Sequence, residues 1–212
     1  GMLVENGGKI WANEAAARRL QVVNGGTGFL YPQTGTITNN GVMGGVGDGL
    51  FFETGTNCQN VTFTGTGSTI VQRLRVPGGF GSTAGGIVNI TIDMNITFTI
   101  ANNYALSLVY NPQATDNYFL TINPGVTVTI SDPGGYFNNN SLGSGAAFGN
   151  YSYLINGTLD LSASTQTSQF LTAISPTGGN VTVTVGSGGV IKTGAAFNSS
   201  PVAPGVGNIN LL

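Results

Sequence analysis

The sequence predicts an all-β solenoid in which short parallel strands stack coil upon coil, and three observations carry that reading. At 212 residues the chain has the length of one domain, yet charged residues make up only 7% of it, against about 25% in an ordinary globular protein. Glycine (35), threonine (26) and asparagine (23) are all abundant, and 40% of the chain is apolar, enough to build a core. Most telling is a recurring pattern: an apolar/Thr alternation, a short turn holding Asn, Asp or Gly, then a second alternation.

The copies run Leu30 to Ile37, Val61 to Ile70, Ile90 to Ile100, Leu120 to Ile130, Leu154 to Leu161 and Val181 to Ile191. The last apolar residue before each turn marks an anchor: Leu30, Phe63, Ile92, Ile122, Ile155 and Val185. Successive anchors are 33, 29, 30, 33 and 30 residues apart, a register foreign to a two-sheet sandwich, whose turns come every ~8–12 residues. Strict alternation, as in Val126 to Ile130, points one side chain inward and the next outward. A single copy cannot bury its own apolar face, and parallel stacking on its neighbours does so while pairing every backbone group. Ala105 to Tyr110 and Gln169 to Ile174 supply a third strand per coil. The sum is about six coils of ~31 residues.

The open ends of such a stack need covers. Trp11 to Leu20 is Ala-rich, with Ile10, Trp11, Ala15 and Leu20 as an apolar side, Asn13 as N-cap, and Arg18 and Arg19 where positive charge is favoured. It is expected to be a capping helix ended by Gly25-Gly26, so that residues 1–24 form an N-terminal segment and 25–212 the solenoid. Asn208 to Leu212 reads as an apolar strand, pointing to a truncated array, a docked neighbour or an oligomer contact. Gly1-Met2 reads as a cloning remnant before either a native start or a trimmed chain.

Composition also excludes chemistry. The chain has no histidine, which removes Ser-His-Asp and Cys-His triads and His-ligated metals. Cys58 is the sole cysteine and is expected to be a buried structural thiol. A net charge of −2 gives no steering toward nucleic acid, and no apolar run is long enough for a membrane helix. No cofactor or metal is expected.

The repeated coil and the N-terminal helix, over residues 10–212, resemble the right-handed parallel β-helix superfamily of pectate-lyase-like and adhesin-like solenoids. The resemblance implies a single-stranded right-handed parallel β-helix. It also implies that Asp93, Asn123 and Asn156, each directly after an anchor, form a structural ladder at the bend, where Asn bonds neighbouring backbone and tolerates left-handed geometry. Thr62, Thr91, Thr121, Leu154 and Thr184, each just before an anchor, make an outward column broken once.

Polysaccharide-cleaving members of that superfamily use clustered Asp carboxylates. This chain has eight acids, no two adjacent or at i, i+2, and lacks the Asn-Thr-Asp, Asp-Asp and Gly-His-Gly signatures. Asp93 and Asp160 are expected near one edge, two coils or roughly 10 Å apart, at the limit for inverting glycoside chemistry. Arg73 and Arg75 read as a solvated strand face. Aromatic clustering says more: six of seven tyrosines fall between Tyr104 and Tyr153, and the long loop from Ser131 to Asn150 carries Tyr136, Phe137 and Asn138 to Asn140. Rings beside amides suit a sugar face, which makes Tyr110, Asp132, Tyr136, Asn138, Asn139 and Tyr151 the candidate ligand contacts; the plainer alternative is that the rings cover the core. Sequons at Asn60, Asn89, Asn95, Asn150, Asn156, Asn180 and Asn198 are mostly chance in so Asn- and Thr-rich a chain.

The expected function is a non-catalytic structural or adhesive β-helix, extracellular on a bacterial surface or within a phage tail or fibre. Its partner is a polysaccharide or host-surface glycan, with a homotrimer in the virion case. A polysaccharide-acting lyase or hydrolase is the rival class, and ice binding by the threonine column a distant third.

Overall fold

The computed structural model describes residues 3–4, 9–10, 34–44, 51–53, 60–71, 73–75, 87–99, 104–107, 117–139, 150–165, 171–172, 181–193 and 208–211. Among the described residues all regular structure is β, and no helix is long and apolar enough to cross a membrane. Alternation of β-branched apolar residues with Thr, Asn and Ser builds the longest strands, because it puts one face on a core and the other in water. These are Thr34–Asn39, Asn60–Thr64, Ile87–Asp93, Asn117–Ile122, Asn150–Ile155 and Val181–Val185. They lie side by side in chain order, with Leu3–Val4 at one edge and Asn208–Leu211 at the other, as a first sheet of eight parallel strands.

Seven strands make the second sheet: Lys9–Ile10, Val42–Gly44, Ser68–Val71, Ile96–Phe98, Thr127–Ile130, Thr158–Leu161 and Val190–Thr193. Five make the third: Phe51–Glu53, Arg73–Arg75, Tyr104–Ser107, Tyr136–Asn139 and Leu171–Thr172. Each strand therefore pairs with one a full circuit away, not with its neighbour in sequence. Two to four residues link the first sheet to the second, whereas six to eleven separate a third-sheet strand from the next first-sheet strand.

Ile92 and Ile122 are parallel partners in register, and neither is accessible to solvent. Their column continues through Phe63 and Ile155 to Val185, as the spacing predicts. Two expectations need correction. Among the described residues the column starts at Ile37, and the in-register partner of Phe63 is Ile37, 26 residues before it, and not Leu30. The reason is the turn: Asn40-Gly41 separates two strands, so the strand ends at Asn39 and Ile37 takes the inward position. The stack is also longer than six, since Leu3–Val4 pairs with Thr38–Asn39 and Asn208–Leu211 with Thr182–Val185. The expected helix, Trp11 to Leu20, lies outside the described residues.

The core is the space between the sheets. Val61, Ile90, Leu120, Tyr153 and Val183 line it from the first sheet, Phe98, Val128, Ile130, Leu159 and Leu161 from the second, and Leu74 and Phe137 from the third. Phe137 meets Tyr153 edge to face, with ring centres 5.9 Å apart. Each such side chain contributes about 1.5–3 kcal/mol by leaving water.

The short corner between the first and second sheets is held by backbone. Asn123 N–H donates to the Ile92 carbonyl, Asn156 N–H to Ile122 and Gly186 N–H to Ile155, which carries the parallel ladder into the bend. In the corner after Thr34–Asn39, Asn39 is fully buried and satisfied: its Nδ2 donates to Ser68 O (2.9 Å) and Thr69 Oγ1 (2.8 Å), and its Oδ1 accepts from Gly41 N–H. Replacing a group so engaged strands its partners away from water. Asn39→Ala is expected to lose about 2 kcal/mol in urea unfolding, and a loss under a few tenths would show that those bonds add nothing.

Candidate functional site

The sequence candidates are distributed over two sheets. Tyr136, Asn138 and Asn139 lie on one third-sheet strand, Tyr136 in register with Tyr104, Asn138 with Leu106 and Leu171, and Asn139 with Thr172. Asp132 lies just before that strand and closes a turn, its Oδ1 accepting from Gly134 N–H (2.7 Å) and its carbonyl from Gly135 N–H (2.9 Å). Tyr151 is on the first sheet, in the register column of the buried Val88 and Tyr118. Tyr110 lies outside the described residues. The structure thus keeps four of the six on one segment and puts Tyr151 on another sheet.

The bend ladder forms at its first step. Asn123 Nδ2 donates to Asp93 Oδ1 (2.8 Å), and Thr64 Oγ1 donates to Asp93 Oδ2 (3.1 Å) from the other side. Asn156 follows with its backbone on Ile122. The left-handed conformations at these bends belong to glycines, among them Gly65, Gly125 and Gly188.

Asp93 and Asp160 do not share an edge. Asp93 ends a first-sheet strand, whereas Asp160 lies within a second-sheet strand between Thr129 and Lys192. The two-residue bend at Asn156-Gly157 carries the chain onto the next sheet, whose strand begins at Thr158. Burial pushes the Asp160 carboxyl up, but hydrogen bonds from the Ser162 hydroxyl and N–H, with Lys192 at 3.5 Å, outweigh it and hold the group below its ordinary value. A depressed folded value stabilises the fold above the unfolded carboxyl pKa of about 4, and that gain disappears as pH falls through the folded value. Ser162→Ala is expected to flatten the loss of stability between pH 7 and pH 3; an unchanged slope would show that the hydroxyl does not hold the charge. Among the described residues no three His, Cys, Asp or Glu converge as a metal site.

What the topology assembles is the outer face of the first sheet. One column reads Asn60, Asn89, Phe119, Ser152, Thr182, and the next Thr36, Thr62, Thr91, Thr121, Leu154, Thr184. Strand spacing sets these positions ~4.8 Å apart along a column, and residues two apart on a strand ~6.7 Å across. Asn89 Nδ2 donates to Asn60 Oδ1 (2.8 Å), so part of the first column is internally bonded. Neither column contains an ionisable residue.

Phe119 interrupts the first column and is 41% exposed; Leu154 interrupts the second and is half-buried. Leu154 was visible in the sequence as a break in the threonine column, but Phe119 was missed. The run Tyr118-Phe119-Leu120 is apolar throughout and hides its own parity. Counting back by two from Ile122 resolves it, with Leu120 and Tyr118 inside and Phe119 outside. Compared with known proteins, the chain matches no protein-family model, no curated protein and no solved structure.

Proposed function

We propose that this chain is a right-handed parallel β-helix with an N-terminal cap, acting without catalysis as a structural and adhesive element. Its place would be outside the cell, on a bacterial surface or in a phage tail or fibre, with glycan as the partner. The observation that supports this reading most is the first sheet's outer face, where uncharged Thr, Asn and Ser recur in register over six strands, broken at Phe119 and Leu154. Hydroxyl and amide side chains both donate and accept, which suits a ligand made of hydroxyls. A backbone paired on both sides along the stack holds them in place.

The test is sedimentation with a panel of insoluble polysaccharides, followed by assay of the supernatant for released reducing ends and unsaturated uronates. Retention without release is the expected result. Release of sugar from any member overturns the non-catalytic half of the reading, and absence of retention across the panel overturns the adhesive half. The virion version further expects a trimer by light scattering; a monomer at high concentration removes it.

A further inference from the structure

We infer that the outer face of the first sheet is a docking platform for a neutral polysaccharide chain, centred on Phe119 and Leu154. The inference deepens the adhesive reading and rests on it. Phe119 pairs in register with Ser152, and Leu154 with Thr121, so the two apolar side chains are diagonal neighbours on adjacent strands. That relation places their backbone positions about 8 Å apart on one face, close enough for a ring and a leucine to form one patch. Asn89, Thr91, Thr121 and Ser152 surround it.

A pyranose ring has the same two-sided character. Its axial C–H groups pack on an aromatic face, while its equatorial hydroxyls radiate outward to the height of neighbouring polar side chains. The ~4.8 Å step between strands is close to the length of one sugar unit, so a chain lying along the columns meets an equivalent position on each successive strand. Threonine holds its hydroxyl in few rotamers, which lowers the entropy cost of such a contact.

Charge selects the class of glycan. The two columns offer no cation to a uronate or sulfate, and the ionisable side chain on the adjoining bend is the anionic Asp93, already bonded to Thr64 and Asn123. A neutral polymer fits and an acidic one is repelled. Phe119 and Leu154 also decide against ordered ice, which needs an uninterrupted flat array of polar groups.

The experiment compares wild type with four variants: Phe119→Ala, the double variant Phe119→Thr/Leu154→Thr, Thr97→Ala on the second sheet and Tyr136→Ala on the third. The probes are microcrystalline cellulose, chitin, insoluble β-1,3-glucan and granular starch, with calcium pectate gel as the acidic arm. Wild type is expected to bind at least one neutral polymer and not pectate. Phe119→Ala is expected to weaken that binding about tenfold and the double variant further, with Thr97→Ala unchanged. Urea midpoints close to wild type for all four show that the fold is intact. Undiminished binding by the double variant overturns the platform while leaving the adhesive reading in place, and a loss confined to Tyr136→Ala moves the site to the third sheet. Preference for pectate overturns the neutral ligand. No retention of wild type on any polymer, or its incorporation into growing ice instead, overturns both readings.

Discussion

Phe63→Ala is expected to lower the free energy of unfolding by about 3–5 kcal/mol, read as a fall in urea midpoint at constant slope. Phe63 is wholly buried and is among the largest such side chains in the protein. It lies between Ile37 and Ile92 in an inward-facing column of the first sheet. Truncation leaves a cavity whose walls cannot close, because the strands on either side are fixed by their own parallel ladders. Thr62, one residue away on the outer face, provides the control: Thr62→Ala is expected to change stability by no more than about 0.5 kcal/mol. Similar losses for the two would mean that the alternation does not separate core from surface.

Gly157→Ala is expected to cost about 3 kcal/mol through a different mechanism. Asn156-Gly157 is among the shortest links between the first and second sheets, and it brings the chain down onto the strand below. A Cβ at Gly157 would stand 2.3 Å from the Asn123 carbonyl oxygen and 2.4 Å from that of Val126. Both are backbone atoms and cannot rotate away. Gly125 separates this effect from backbone conformation: its φ is +77° but nothing lies within 4 Å of an added Cβ. Gly125→Ala should therefore cost only about 1–2 kcal/mol, the strain of a left-handed alanine. Equal urea midpoints for the two variants would show that the corner yields and that close approach is not what requires glycine.

The parts of this architecture that repeat were legible in the sequence, and the parts that depend on one local turn were not. Ile92, Ile122 and Ile155 were readable as stacked partners because alternation and spacing agree at all three. Leu30 was a wrong start because Pro32 and Gly35 looked like turn residues while Asn40-Gly41 made the turn. Asp93 and Asp160 both lie close to a turn in the sequence, but Asp93 comes before its turn and Asp160 after one, so the two fall on different sheets. Asn39 gave no sign of burial, since asparagine beside a turn is ordinarily solvated; only the Ser68 and Thr69 groups a full circuit later explain it. The candidate face was half visible. Its threonine column could be read directly, but the second column and Phe119 needed the register between strands, which local alternation does not give.

The unequal corners make the molecule resemble a bound book, stitched along a spine of two to four residues, with six to eleven residues at each step of the fore-edge. One residue added at Asn156-Gly157 would slip the pairing and turn inward side chains outward down the following strand. Doubling the connection between Asn139 and Asn150 should cost only about 0.6 kcal/mol in chain entropy. Insertions are therefore expected to be tolerated between third-sheet and first-sheet strands, and peptides grafted there would leave the strand pairing undisturbed.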